Sequence, residues 1–160
     1  MAKKRADKSE EEGVKIVARN RRARHDYELM EKVEAGIVLT GTEVKSLRGG
    51  KANLEDSYAE INNGEAWLNG CDIPEYLQAN RMNHVPKRSR KLLLHRREIA
   101  KLGSLTTEKG ITLVPLAIYF KSGMAKVELR VARGRKTFDK REAIKKQDAK
   151  REIDRALRRR

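Results

Sequence analysis

Cysteine is nearly absent. Cys71 stands alone among 160 residues, which excludes an intrachain disulfide and a cysteine-based zinc site. Histidine is scarce too: His25, His84 and His95 lie in unrelated contexts, with no HExxH spacing and no glycine-rich phosphate loop opening a helix. No apolar run approaches the roughly eighteen residues of a membrane helix. The polar N-terminus lacks the apolar core of a signal peptide. A soluble, cytoplasmic protein with no membrane partner, cofactor or metal is expected. Aromatic residues number seven, too few to pave a platform for stacking a sequence-read single strand. No long apolar seam is present, so the free chain is expected to be a monomer.

Basic charge is what the chain has in excess. The formal net charge is +15, which points to a polyanionic partner. Its distribution is uneven. Residues 1–25 carry nine Lys/Arg against four Asp/Glu, and 81–101 carry eight against one. Residues 126–160 carry fifteen against six, whereas 26–80 carry four against eleven. A merely solvated surface does not need that segregation, although solvated charge is the bland alternative.

Periodicity divides the chain into three parts. Residues 1–18 are charged with few apolar anchors and read as a flexible arm. Residues 19–133 read as a domain, and 134–160 as a basic tail. Within the domain, Val33, Ala35, Ile37 and Leu39 alternate with polar or small residues, a strand with one buried face running from about Tyr27 to Thr40. Gly36 suggests a bulge or sharp bend in it. Thr42 is placed to cap a short helix, Glu43 to Arg48, that ends at Gly49-Gly50.

Two hairpins follow from turn chemistry: Ser57–Ile61 with Glu65–Asn69 around Asn63-Gly64, and Ile111–Phe120 with Met124–Ala132 around Ser122-Gly123. Tyr58 and Trp67 are expected to pack across the first, and Pro115 to sit at an edge or bulge. Lys91–His95 is either a strand or a helix start. Arg96–Leu102 reads as a helix stopped by Gly103. In the tail, Asp139 can cap a helix with Glu142 completing the box. That helix is marginal alone and is expected to form on meeting an anionic partner. The fold class is therefore mainly β: a small antiparallel barrel of the oligonucleotide-binding type, about six strands, two or three short helices and the tail.

No catalytic constellation is present. Glu34, Glu43, Glu55 and Asp56 read as surface carboxylates; a metal-dependent phosphodiesterase using Glu34, Glu43 and Asp56 is the rival from another class. Because Tyr58, Trp67, Tyr119 and Phe120 fall where a barrel core would claim them, folded RNA met through shape and phosphates fits better than a stacked single strand. Phe138 is the exception, a ring among Arg135, Lys136, Lys140 and Arg141 that either stacks on a base or tucks against the barrel.

Several motifs in fixed order resemble one family, the SsrA-binding proteins (small protein B) of bacterial trans-translation. They are Asn20-Arg-Arg-Ala-Arg-His-Asp-Tyr27, Glu34-Ala-Gly36, Gly41-Thr-Glu-Val-Lys-Ser-Leu-Arg48, Arg90-Lys-Leu-Leu-Leu-His95, Arg97-Glu-Ile99, Gly134-Arg-Lys136 and Asp139-Lys-Arg141. The resemblance implies a barrel that binds the tRNA-like domain of transfer-messenger RNA and delivers it to stalled ribosomes. The tail would meet small-subunit rRNA at the decoding centre and occupy the empty mRNA channel. It implies RNA contacts at Asn20, Glu34 and Leu93, with Arg22, Arg24, His25, Arg90, Lys91 and His95 in the same motifs. Glu34 would accept hydrogen bonds from base amino groups or hold an arginine. Leu93 would touch a base or plug the barrel. Arg135, Lys136, Phe138, Asp139, Lys140 and Arg141 would engage the ribosome. Two positions depart: family members often carry His where Phe138 stands, and some carry Asn where His95 stands. A ribosomal or initiation-type barrel held by rRNA is the alternative.

Overall fold

The computed structural model describes residues 13–79, 82–135 and 137–158, with the side chains of 137–140 excepted. The described residues form seven antiparallel strands. They are β1 (Val14–Arg19), β2 (Tyr27–Ile37), β3 (Tyr58–Asn62), β4 (Glu65–Asn69), β5 (Arg90–Leu93), β6 (Ile111–Lys121) and β7 (Met124–Gly134). Helices α1 (Ala23–Asp26), α2 (Gly41–Arg48), α3 (Arg96–Thr106) and α4 (Thr137–Arg158) connect or follow them. Pairing runs β6-β3-β4-β5-β2-β7 and returns from β7 to β6, closing a six-stranded barrel, with β1 added on β6. The closed ring is the small antiparallel barrel expected from the hairpin spacing. The extra strand is not: Val14–Arg19, all but its last residue assigned to the flexible arm, pairs with Ala117–Lys121. Its lysine, arginine and alternating apolar residues suit an edge strand, a context invisible without its distant partner.

Strand β2 behaves as its alternation predicts. Ala35 and Ile37 are buried, with Val33 and Leu39 packed against the same cluster. The strand passes from β7, which it pairs through Gly36↔Lys126, to β5, through Gly36↔Leu93. The bulge lies between Leu29 and Lys32, not at Gly36. Gly36 instead allows close approach, because a Cβ there would meet Leu93 Cβ at 3.2 Å.

Helix boundaries shift for local reasons. Thr40, not Thr42, caps α2, and Glu43 Oε2 accepts the Thr40 amide at 2.9 Å. His95 caps α3 in the same way, donating its amide to Glu98 Oε2 at 3.0 Å. Gly103 does not stop α3, which runs on to Thr106; a Cβ there would lie 3.5 Å from Ile61 Cγ2, an ordinary packing distance against β3. The first hairpin turns at Asn63 and Gly64, both with positive φ, as the Asn-Gly rule requires. Its aromatics do not face each other directly, since Tyr58 pairs with Asn69 and Trp67 with Glu60. Tyr58 is 47% exposed, outside the core expected to claim it. Pro115 sits at the predicted bulge, where the β6–β7 register shifts before Ala117. Among the described residues no helix is long and apolar enough to cross a membrane.

Candidate nucleic-acid interface

The basic knot is held in shape by one buried amide. Asn20 Nδ2 donates to the carbonyls of Leu54 (3.3 Å) and Pro115 (3.2 Å), and Oδ1 accepts the Ala23 amide at 3.2 Å. Its backbone amide donates to Leu116 at 2.7 Å. With Ala23 buried beside it, this pins α1 to the barrel and leaves Arg19, Arg21, Arg22, Arg24 and His25 exposed. The reading of Asn20 as an RNA contact is thereby corrected: all its side-chain polar atoms point into protein, and it positions the cations around it.

Two grooves flank the outer face of β2 and share Lys32 and Glu34 as a ridge. The first, about 880 Å³, gathers Arg19, Arg21, Arg24, Lys32, Lys121 and Arg130 against the carboxylates Glu34 and Glu128. The second, about 970 Å³, has an apolar floor that includes Gly36, Leu93, Phe120 and Met124, rimmed by His95, Arg97, Lys101 and Lys126. One suits phosphates and the other suits unstacked bases. Leu93 is 55% exposed, so of its two readings the structure supports outward contact over a plug. Arg22 and His25 line neither groove.

Glu34 sits at the centre of this ridge. On the facing strand its register partner is Glu128, a like-charge pair that a sheet disfavours. Glu128 is balanced by Arg130 (3.3 Å) and Lys32 (3.9 Å). Glu34 accepts a hydrogen bond from the Tyr119 hydroxyl and lies 3.9 Å from Lys121 Nζ. Of its two expected roles, holding an arginine is not the one it plays among the described residues.

The Arg90 motif divides by strand parity. Arg90 and Leu92 point inward; Lys91 and Leu93 point outward. Arg90 is fully buried: Nε meets Glu43 Oε1 at 2.9 Å, and its other nitrogens donate to the carbonyls of Cys71, Pro86 and Arg88. The assignment of Arg90 to RNA is therefore corrected. Lys91 pairs with Glu65 at 2.9 Å, on the side of the barrel formed by β4. Glu43, expected at the surface, is wholly buried and also takes Arg88 through both oxygens, at 2.6 and 2.7 Å. Burial pushes its carboxyl up, but the Arg88 hydrogen bond, the Thr40 amide and the charges of Arg90 and Arg88 outweigh this and hold it below 4.5. The Glu43 hydrogen bond in turn raises Arg88. Burial pushes the Cys71 thiol up to about 11. Glu43 thus cannot join Glu34 and Asp56 around a metal, and among the described residues no three His, Cys, Asp or Glu gather to hold one.

Residues Thr137–Arg158 form helix α4, and from 141 to 158 its side chains are exposed, Ile153 and Leu157 included, apart from a half-buried Ala143. It starts at Thr137, which places Asp139 inside the first turn and not at the cap. The Arg135 amide donates to the Asp26 carbonyl at 2.9 Å, tying the root of the tail to α1. Arg141 is exposed; Lys136 and the side chains of Phe138, Asp139 and Lys140 lie outside the described residues.

Lys32, Lys121 and Tyr119 were not singled out as site residues from the sequence. Alternation along β2 puts Lys32 on the same face as Glu34 and was a usable signal. Nothing local reports that β6 brings Tyr119 and Lys121 beside them.

A family model described as "SmpB protein" matches residues 17–159. The chain is 58% identical over 158 residues to an SsrA-binding protein of Thermobifida fusca, covering 99% of this chain and 98% of that one. It is 60% identical over 144 residues to one of Carboxydothermus hydrogenoformans, covering 90% and 97%. A solved chain described under "tmRNA-SmpB: a journey to the center of the bacterial ribosome" superposes with a TM-score of 0.66 at 50% identity, covering 79% of this chain and 93% of that one.

Proposed function

The chain belongs to the SmpB family of SsrA-binding proteins, and from that premise we infer that it binds transfer-messenger RNA and carries it to stalled ribosomes for trans-translation. The observation that carries this reading is the pair of grooves sharing Lys32 and Glu34, one cationic and one floored with apolar side chains. An RNA fold presents phosphates and unpaired bases at close spacing, and the two grooves divide those chemistries between them. Arg24, Glu34, Leu93 and His95 are the family-matched residues at these grooves, with Arg22 and His25 exposed beside them on the knot. The reading is of a cytoplasmic binding protein, monomeric when free, that performs no chemistry of its own.

The tail is the second functional unit. Arg135, Lys136, Phe138, Asp139, Lys140 and Arg141 would meet the small-subunit rRNA at the decoding centre, with α4 continuing into the mRNA channel. Fifteen cations against six acids over residues 126–160 suit such a channel. The barrel extends to Gly134, whose register partner is Tyr27. A cut after Arg135 therefore removes the tail without opening the sheet.

The test is RNA capture at moderate salt by the full chain and by the chain ending at Arg135. Transfer-messenger RNA should copurify with both, while tagging of stalled peptides is lost with the tail. Capture of rRNA alone would favour the ribosomal-protein alternative.

A further inference from the structure

We propose that Tyr119 is a positioning residue for RNA recognition, holding the Glu34 carboxylate so that it accepts from the Watson–Crick edge of an unpaired guanine. The proposal rests on the RNA-binding reading above and specifies the chemistry at its ridge.

An acidic side chain on an RNA face needs a reason, because it repels phosphate. Glu34 stands opposite Glu128 on the neighbouring strand, so the fold bears a like-charge pair there. The two acids are treated differently. Glu128 has two cations close by, Arg130 and Lys32. Among the described residues Glu34 has a lysine at the same 3.9 Å, Lys121, but in place of an arginine it has the Tyr119 hydroxyl. Both of these meet Oε2; among the described residues Oε1 takes no hydrogen bond.

Tyr119 is nearly buried, on the central strand β6 between Ile16 of β1 and Lys126 of β7. A side chain so little exposed moves little, so its hydroxyl anchors one carboxylate oxygen of Glu34 on the ridge between the grooves. The bond also leaves lone pairs on both carboxylate oxygens. What such a group accepts best is a pair of adjacent donors, and among the bases guanine alone presents two parallel N–H groups, at N1 and N2, on its Watson–Crick edge. An unpaired guanine seated over the apolar floor near Leu93 would offer that edge to Glu34 while its phosphates lie toward Arg21 and Arg24.

The experiment measures binding of the full chain to the tRNA-like domain of transfer-messenger RNA, made with each unpaired guanosine replaced singly by inosine, which lacks the N2 amino group. For the unaltered chain, one position should cost on the order of ten-fold in affinity. Tyr119→Phe, which keeps the ring, should weaken the unmodified RNA several-fold and shrink the inosine penalty at that one position. Glu34→Gln, an outer-face substitution that leaves the Tyr119 ring in place, should turn the preference there from guanine to adenine, since an amide pairs with adenine's donor and acceptor.

Absence of any inosine-sensitive position overturns the proposal. So does a Tyr119→Phe chain that binds normally, or one weakened equally on every RNA with the inosine penalty intact. Failure of the unaltered chain to bind this RNA at all would instead overturn the underlying reading.

Discussion

Arg90 Nε lies 2.9 Å from Glu43 Oε1 with both side chains completely buried. The pair joins β5 to α2 beneath the outer face and brings the Cys71, Pro86 and Arg88 carbonyls into one network. No buried polar side-chain atom among the described residues is left without a partner. Arg90→Ala would take one of two guanidinium partners from the buried Glu43 and leave the Cys71, Pro86 and Arg88 carbonyls without their donor, and a loss of about 3 kcal/mol in urea unfolding is expected. Unchanged stability with weakened RNA binding would return Arg90 to the interface.

The same carboxylate sets the acid response. Glu43 is held below 4.5, so its stabilisation is complete at neutral pH and is lost as pH falls through 4.5 and below the folded value. Unfolding midpoints measured from pH 7 downward should fall in that window. In Glu43→Gln the midpoint should start lower and fall less steeply, because the titrating group is gone.

Gly103 is a helix-interior glycine with room for a methyl group, 3.5 Å from Ile61 Cγ2. Gly103→Ala should therefore stabilise the domain by about 0.5–1 kcal/mol, read as a raised melting temperature. A lowered one would mean that the approach of α3 to β3 has no slack.

The two grooves should separate in salt titrations. Arg24→Ala removes a phosphate-type contact and should reduce the slope of log affinity against log salt by about one. Leu93→Ala should lower affinity at every salt concentration and leave the slope alone. Equal slope changes for both would refute the division between phosphate and base contacts.

Much of this was legible in local pattern. Period-two alternation identified the inner face of β2, Asn63-Gly64 and Ser122-Gly123 identified the hairpins, and charge segregation identified an anionic partner. What misled was also local. Residues 14–18 looked like part of a solvated arm because the strand's partner lies about a hundred residues away (Val14↔Lys121). Arg90 looked like another cation in a basic run; only parity along β5 together with the arrival of Glu43 from α2 turns it inward.

The sequence by itself determined the elements and the polarity of the partner, because turn residues, alternation and charge act over a few positions. The tertiary structure decided which charged groups remain available to that partner. Closing the ring buries Arg90, Glu43 and Asn20, where unpaired polar atoms are costly and each must find a mate. It also carries Tyr119 and Lys121 across to Glu34, a meeting over 85 residues that no local rule specifies.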